Sequence, residues 1–432
     1  NRIFIRCEDK NEWERRTPIV PEDISKLSGE IPFVIEESQI RCIKQEEYIT
    51  AGCKISKSAD DADVIIGIKE IPEAKILADK VYVFFAHCVK GQKDGIHLLK
   101  TIMEKKGTLI DYEKITDQNG KRLIAFGRHA GYAGAVNALW LYGKRLKKKE
   151  IASSFQQFQQ AIHYESVSQA KERVRKLGQA IQKEDNIFED NKPIVIGILG
   201  TGNVAAGALE IFDCLGGKKI HPCDLAGIYE NEDIQRNQIY ICVFSLKDLL
   251  ARKDGGEYSR SDYRKNPDLY ESRLGMYVPY LTILANGLYW DDRNPNFLTW
   301  DMLEMVYKNE KEPKLRVLSD ITCDRYGTLE CNIKYTSIME PYYYIDPFNR
   351  CLTDEDNPNA IAILAEENYP AEFPLDASRY FSTIAIELLE NIAKADFAKT
   401  LENCGLIPEI QRAVVCYHGK LTKEFIYLKK YF

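Results

Sequence analysis

IVIGILGTGNVAAGALEIFDCLG, residues 194–216, is the stretch on which the fold turns. Six largely apolar residues read as a buried strand, a glycine turn follows, and an apolar-rich segment reads as a helix. The turn carries Gly200, Gly202 and Gly207, with Ala205 where a G-x-G-x-x-G pattern has its third glycine. The first glycine makes the tight turn and the second lets a pyrophosphate approach the backbone. A small third residue packs helix on strand, and alanine serves there. The helix start then offers unsatisfied N–H groups to phosphate. A strand, turn and helix written this strongly predict dinucleotide binding over a merely structural turn. The kind of dinucleotide stays open. An acidic residue about twenty positions on would hold a ribose hydroxyl, and Asp224 is the candidate. Lys218 and Lys219 could meet a 2′-phosphate or simply be solvated.

Outward from this stretch, strand-like runs alternate with helix-like ones. RIFIRC, IPFVIEE, DVIIGIK, KVYVFFAH, TLIDYE and RLIAFG read as short buried strands in residues 1–130. DGIHLLKTIMEKKG is an amphipathic helix ending on glycine. GRHAGYAGAVNALWLYGKRLKKK reads as a long helix leading out of the first domain, and residues 150–190 are polar and helix-prone. QIYICVF, YLTILAN and KLRVLSD continue the second βα series. Residues 251–276 are polar and tyrosine-rich, an insertion or lid by composition. From 340 on, AIAILAEEN and SRYFSTIAIELLENIAKA could fold back on the first domain. The pattern predicts an α/β protein of two Rossmann-like domains with parallel sheets and an active site in the interdomain cleft. Its domains are residues 1–135 with 340–432 for substrate, and 136–339 for the dinucleotide.

Bulk composition excludes several classes. The 432 residues exceed what one core holds and suit two or three domains. Charged residues are 29%, and the net charge of -6 is small for this length, which argues against a nucleic-acid partner. KRLKKKE at 144–150 is a solvated run before it is a polyanion site. No run of about eighteen apolar residues suggests a membrane span. The twelve cysteines form no C-x-x-C pair and several lie in apolar runs, as buried thiols do. This predicts a reducing, intracellular compartment and no metal site. The chain begins at Asn1 without methionine and reads as a trimmed fragment or a module of a longer polypeptide.

Three of the apolar runs end in different ionisable residues: DVIIGIK in Lys69, KVYVFFAH in His87 and TLIDYE in Glu113. Singly, a strand-end lysine is solvated, a histidine is a satisfied core residue and a glutamate is surface. Ending successive strands of one sheet, they meet where open α/β sheets bind ligands. Burial at a cleft mouth lowers a lysine's pKa, and histidine titrates near neutrality. The pair suits acid–base work on a carbonyl or imine. Arg16, in WERRTPIVP, adds a fork for a substrate carboxylate. With a nicotinamide as hydride source, this predicts a dehydrogenase or reductase of a carboxylate-bearing oxo or amino acid.

WERRTP, GIKEIP, FFAHCVKGQ, LIDYEKITDQNGKR, AFGRHAGYAGA, ILGTGNV and SDITCD resemble the lysine-forming saccharopine dehydrogenases. That group stands with alanine dehydrogenase and the NAD-binding component of transhydrogenase. WERRTPIVP, GTGNVAAGALEIF, DYRKNPDLYESR, VPYLTILANGLYW and DITCDRYGTLE are closer still to the lysine-ketoglutarate reductase domain of bifunctional aminoadipic semialdehyde synthase. The resemblance spans nearly the whole chain. It implies condensation of the lysine ε-amine with 2-oxoglutarate and reduction of the imine to saccharopine, an oxidoreductase reaction on a CH–NH group. It implies that Lys69 and His87 are the acid–base pair, that Arg16 holds substrate carboxylate and that Glu113 tunes the cations. Lys90 and Arg122 match further cationic positions near the substrate. Gly200, Gly202, Asn203 and Val204 match the dinucleotide turn, and Phe244 and Asp320 match positions beside the cofactor. Two departures stand out. Position 89 is valine where fungal monofunctional enzymes have an aromatic residue, and the W-D acidic signature after the second strand of the nucleotide domain is missing. The missing signature puts NAD in doubt, and because the reductase domains of the bifunctional proteins typically use NADPH, the resemblance implies NADPH, with NAD the lesser expectation. A covalently linked saccharopine dehydrogenase domain is a possible partner. The location implied is the mitochondrial matrix if the protein is animal-like, otherwise the cytoplasm. The alternatives are an NAD-dependent saccharopine dehydrogenase of lysine biosynthesis, an alanine dehydrogenase, and a non-catalytic nucleotide-sensing module.

Overall fold

The computed structural model describes residues 1–184, 193–230, 238–309 and 313–432. The end of the polar stretch expected over 150–190 therefore lies outside the described residues. The chain forms two compact units, residues 1–126 with 374–432, and residues 127–373.

The first unit is built on β1 (Ile3–Ile5), β2 (Phe33–Glu36), β3 (Lys54–Ser56), β4 (Val64–Ile66), β5 (Val81–Phe84) and β6 (Thr108–Asp111). They run parallel in the order β6-β5-β4-β1-β2-β3. Alternate residues feed two cores. Ile3, Ile5, Val64, Ile66, Val81 and Val83 pack with Phe381, Leu388 and Leu389 of the Pro374–Lys394 helix. Phe4, Ile65, Tyr82 and Phe84 pack with Leu98, Leu99 and Ile102 of the Lys93–Glu104 helix. A sheet covered on both faces needs apolar side chains at every position, which is why these runs read as continuous. Each such side chain stabilises the fold by about 1.5–3 kcal/mol. RLIAFG, expected as a strand, is a loop holding only a bridge between Thr116 and Arg122. The edge of β6 it would join is taken by Val414–Tyr417, running antiparallel.

The second unit contains β7 (Ile194–Leu199), β8 (Lys218–Ile220), β9 (Ile239–Phe244), β10 (Leu250–Arg252), β11 (Tyr270–Ser272), β12 (Ile283–Asn286), β13 (Val317–Asp320), β14 (Tyr342–Asp346), β15 (Cys351–Thr353) and β16 (Ile361–Leu364). The main sheet runs β15-β14-β16-β13-β12-β7-β9-β8, parallel from β16 to β8 and antiparallel at β14 and β15. The segment expected to fold back from 340 thus returns only at Pro374. AIAILAEEN supplies β16, a fully buried strand parallel to β13. The tyrosine-rich insertion is a β10–β11 hairpin around the Arg260–Lys265 helix, packed through Tyr258, Tyr263 and Tyr270. The long helix, Gly127–Lys148, crosses the Asn203–Asp213 helix with backbones touching. A Cβ at Gly131 would fall 2.1 Å from the Val204 carbonyl oxygen, and one at Gly207 equally close to that of Arg128.

Candidate active site

In the first unit, the ionisable residues stand on the loops just past the carboxyl ends of β1, β4, β5 and β6. Glu8, beyond β1, is buried and accepts from the backbone N–H of Ile68 at 2.6 Å and of Lys69 at 3.0 Å. It thereby fixes the turn that carries Lys69. Burial raises the Glu8 carboxyl to about 7, although Arg6 and these N–H groups pull it down. Gly67 is required here, because a Cβ would lie 2.9 Å from Arg6 Cδ.

Burial also pushes the Lys69 ammonium down to about 8, and Arg16 and Lys10 add to the effect against the pull of Glu14 and Glu70. Arg16 is itself buried. Its Nε donates to Glu14 Oε1 at 2.7 Å and its Nη2 to Oε2 at 2.6 Å, and its guanidinium lies 4.6 Å from the centre of the Phe126 ring. The edge expected to fork onto substrate is therefore occupied by a protein carboxylate.

His87 lies in the left-handed region at φ 47, an uncommon conformation for a residue with a side chain. Its Nδ1 is bonded to Glu70 Oε1, which leaves Nε2 for proton exchange. Burial opposes ionisation of Glu70, yet the His87 contact and Lys10 together hold its carboxyl at about 2. Past β6, Glu113 pairs with Arg122 Nη2, and Arg122 Nε donates to the Glu113 carbonyl oxygen at 3.1 Å. Asp111 is fully buried and pushed up to about 6 by that burial. Its Oδ1 accepts from Glu113 N at 2.9 Å and Ala86 N at 3.4 Å. Lys90 is exposed on the loop after His87.

Lys69, His87 and Glu113 are thus each held or faced by a carboxyl that the sequence did not assign a role. Glu8, Glu14, Glu70 and Asp111 are those partners. Glu8 carried the same signal as the other three, a charge ending an apolar run. Glu14 stood two residues before Arg16, a spacing that invites a bidentate pair in a turn.

In the second unit, Gly200 follows β7 at φ 96, and its N–H donates to the Phe244 carbonyl oxygen at 2.9 Å. Gly202 is the N-cap of the Asn203–Asp213 helix, which has no side-chain cap, and a Cβ there would meet nothing within 4 Å. Thr201, Gly202 and Asn203 are exposed and Val204 half-buried. An uncapped, accessible helix N-terminus behind a glycine turn fits the diphosphate of a dinucleotide. The Phe244 ring lies in the core, 5.0 Å from that of Tyr277. Asp320 is buried and receives Asn286 Nδ2 at 2.8 Å and Asn332 Nδ2 at 2.7 Å, tying together the ends of β12 and β13. β8 ends at Ile220 and His221 follows. Asp224 caps its own short turn by accepting from His221 N at 3.4 Å, and Lys219 pairs with Asp213 at 2.8 Å. Among the described residues no helix is long and apolar enough to cross a membrane.

A profile of the family "Alanine dehydrogenase/PNT, N-terminal domain" matches residues 4–133. The fold is that of a solved L-alanine dehydrogenase, with a TM-score of 0.63 over 100% of this chain and 99% of the other at 16% identity. Residues 4–133 are thus similar to the N-terminal domain of alanine dehydrogenases and transhydrogenases. The chain is 32% identical over 99% of its length to the mitochondrial alpha-aminoadipic semialdehyde synthase of Mus musculus, of which it covers 47%. It is 23% identical over 92% of its length to the NAD(+), L-lysine-forming saccharopine dehydrogenase of Yarrowia lipolytica, of which it covers 94%. The chain thus spans about half the length of the synthase it matches.

Proposed function

We propose that this chain is a lysine-ketoglutarate reductase, condensing L-lysine with 2-oxoglutarate and reducing the imine with NADPH to saccharopine. The observation that carries the reading is that Lys69, its ammonium pushed down to about 8, and His87, bonded to Glu70, stand just past the ends of the neighbouring strands β4 and β5. Condensation needs both a base and an acid. Lysine must lose its ε-ammonium proton before its nitrogen attacks the ketone, and the carbinolamine oxygen must gain a proton to leave as water. Lys69 and His87 share these transfers, and Glu113 and Glu70 keep the local charge balanced. Arg16 and Arg122 contribute positive charge near the substrate carboxylates, partly offset by Glu14 and Glu113, and the exposed Lys90 contacts them. Gly200, Gly202, Asn203 and Val204 hold the diphosphate, with Phe244 and Asp320 shaping the strand ends beside it. Bound NADPH supplies the hydride.

The preference for NADPH is supported by His221, rather than a carboxylate, following β8, and by the exposed Lys218 nearby. We read the chain as one part of a bifunctional protein whose linked part oxidises saccharopine, as the names and lengths of the synthases suggest. Its twelve free thiols suit a reducing compartment, and the mouse relative is named a mitochondrial protein, in keeping with a mitochondrial location for this one. Rates measured with NADPH and with NADH, on lysine plus 2-oxoglutarate and on pyruvate plus ammonia, test the reading. NADPH with the first pair should be fastest. A faster reaction with pyruvate and ammonia would make the chain an alanine dehydrogenase, and preference for NADH would make it the biosynthetic type.

A further inference from the structure

The loop from Ala86 to Gly91 carries both His87 and Lys90, and the chain comes back to it more than three hundred residues later. Thr422 is anchored on the strand beside β6, its Oγ1 donating to the Val414 carbonyl oxygen at 2.6 Å. The 3₁₀ segment Lys423–Tyr431 that follows buries Phe425 and Leu428 in the same core layer as Ala86, Cys88 and Val89. Tyr427 Oη donates to the Val89 carbonyl oxygen at 2.8 Å. The Tyr431 ring lies flush on Gly91, so close that a Cβ there would fall 2.4 Å from Tyr431 Cζ. Gly91 is left-handed at φ 79 and its N–H closes the turn on the Cys88 carbonyl oxygen at 2.9 Å. On either side of Lys90, then, the backbone is held by a tyrosine of this one segment.

The same loop needs such support. His87 sits at φ 47, a conformation that persists in a non-glycine residue only where its surroundings impose it. Asp111 reaches it from β6 through the Ala86 N–H. Its other contacts come from Gly95, where only hydrogen fits against the His87 carbonyl oxygen, and from Glu70.

We propose that Lys423–Tyr431 is a brace that sets the Ala86–Gly91 loop, with Tyr427 and Tyr431 as positioning residues for His87 and Lys90. The inference rests on the reductase reading for its kinetic consequence, but not for its structural one. A loop freed of the hydroxyl contact and the ring keeps its fold through Phe425 and Leu428 while Lys90 loses its fixed reach to a substrate carboxylate. Small displacements of positioning groups are felt strongly in turnover.

The test uses Tyr427→Phe, which keeps the ring and removes only the donor, and Tyr431→Ala. In each, KM for 2-oxoglutarate should rise about tenfold with a smaller fall in kcat, while the Kd for NADPH stays unchanged. A second readout does not depend on turnover: the imidazole ¹⁵N resonances of His87, assigned by their loss in His87→Gln, should move in both variants. Wild-type KM together with unmoved His87 resonances would overturn the brace. If the wild-type chain fails to reduce the lysine and 2-oxoglutarate pair, the reductase reading falls, and the resonances alone decide the brace: movement supports it and none overturns it.

Discussion

Glu14 and Arg16 form a closed bidentate pair inside the first unit, with both side chains withdrawn from water. Two residues apart in WERRTP, they fix in one loop a cation that lowers the Lys69 pKa and a carboxylate that raises it. Removing one partner of a buried pair leaves the other uncompensated, which destabilises a protein by about 3–5 kcal/mol. Glu14→Gln keeps the shape and removes the charge, so the expected loss is at the low end of that range, read from thermal melts. Glu14 also pulls the Lys69 pKa upward. The pH at which Lys69 loses its proton should therefore fall in this variant, and an unchanged pH–rate profile would show that the two groups are not coupled.

Lys69 gives a stability expectation with a definite sign. Its pKa drops from 10.5 to about 8 on folding, so the folded state binds this proton less tightly than the unfolded state does. The penalty is full below pH 8, shrinks as pH rises toward 10.5 and corresponds to roughly 3 kcal/mol. Lys69→Met should therefore melt higher than wild type at pH 7, with the gap closing near pH 10, although it reacts far more slowly. A lower melting temperature at pH 7 would show that the ammonium is stabilised where it stands. The Lys69→Met/His87→Gln double variant should still bind NADPH and lose most turnover, and near-normal rates would end the proposed acid–base roles.

Gly95 offers a way to move His87 without touching it. A Cβ at this position would lie 2.6 Å from the His87 carbonyl oxygen. Alanine favours the Lys93–Glu104 helix, in whose first turn Gly95 stands, yet it must push the histidine loop aside. Gly95→Ala is expected to fold, to bind NADPH normally and to lose at least tenfold in kcat. Wild-type kcat would mean that the His87 backbone tolerates displacement.

Gly202 separates dinucleotide binding from folding. Aspartate is a good N-cap and the space around Gly202 is open, so Gly202→Asp should leave the melting temperature unchanged or slightly higher. Its carboxylate would face the diphosphate and repel it. NADPH affinity, followed by fluorescence titration, should fall at least a hundredfold, about 3 kcal/mol. Retained affinity would place the diphosphate elsewhere.

Much of this architecture was legible in the chain because buried parallel strands must be apolar throughout. IFI, VII, VYVF and IVIGIL could hardly be anything else, and the glycine turn after the last was readable from its spacing. RLIAFG was misread because its apolar residues serve a loop packed on the core, and no local pattern reveals that Val414–Tyr417 already occupies the sheet edge. The return point at 340 was misplaced for a related reason. β16 is as apolar as any strand of the first unit, and its choice of sheet is decided by pairing with β13. At the site, Lys69, His87 and Glu113 could be named because each ends an apolar run. Glu8 ended an apolar run too and Glu14 stood two residues from Arg16, but Glu70 and Asp111 act through contacts with the distant His87 and Ala86, which a linear pattern does not carry. The brace from Tyr427 and Tyr431 to residues 89 and 91 lies beyond any periodicity argument.

The central claim is a reductive condensation of two substrates, and the most direct test follows NADPH oxidation at 340 nm with lysine plus 2-oxoglutarate and with each omitted in turn. The account expects oxidation only when both are present, with one saccharopine formed per NADPH consumed. Oxidation that continues without lysine, or that yields no saccharopine, would contradict it.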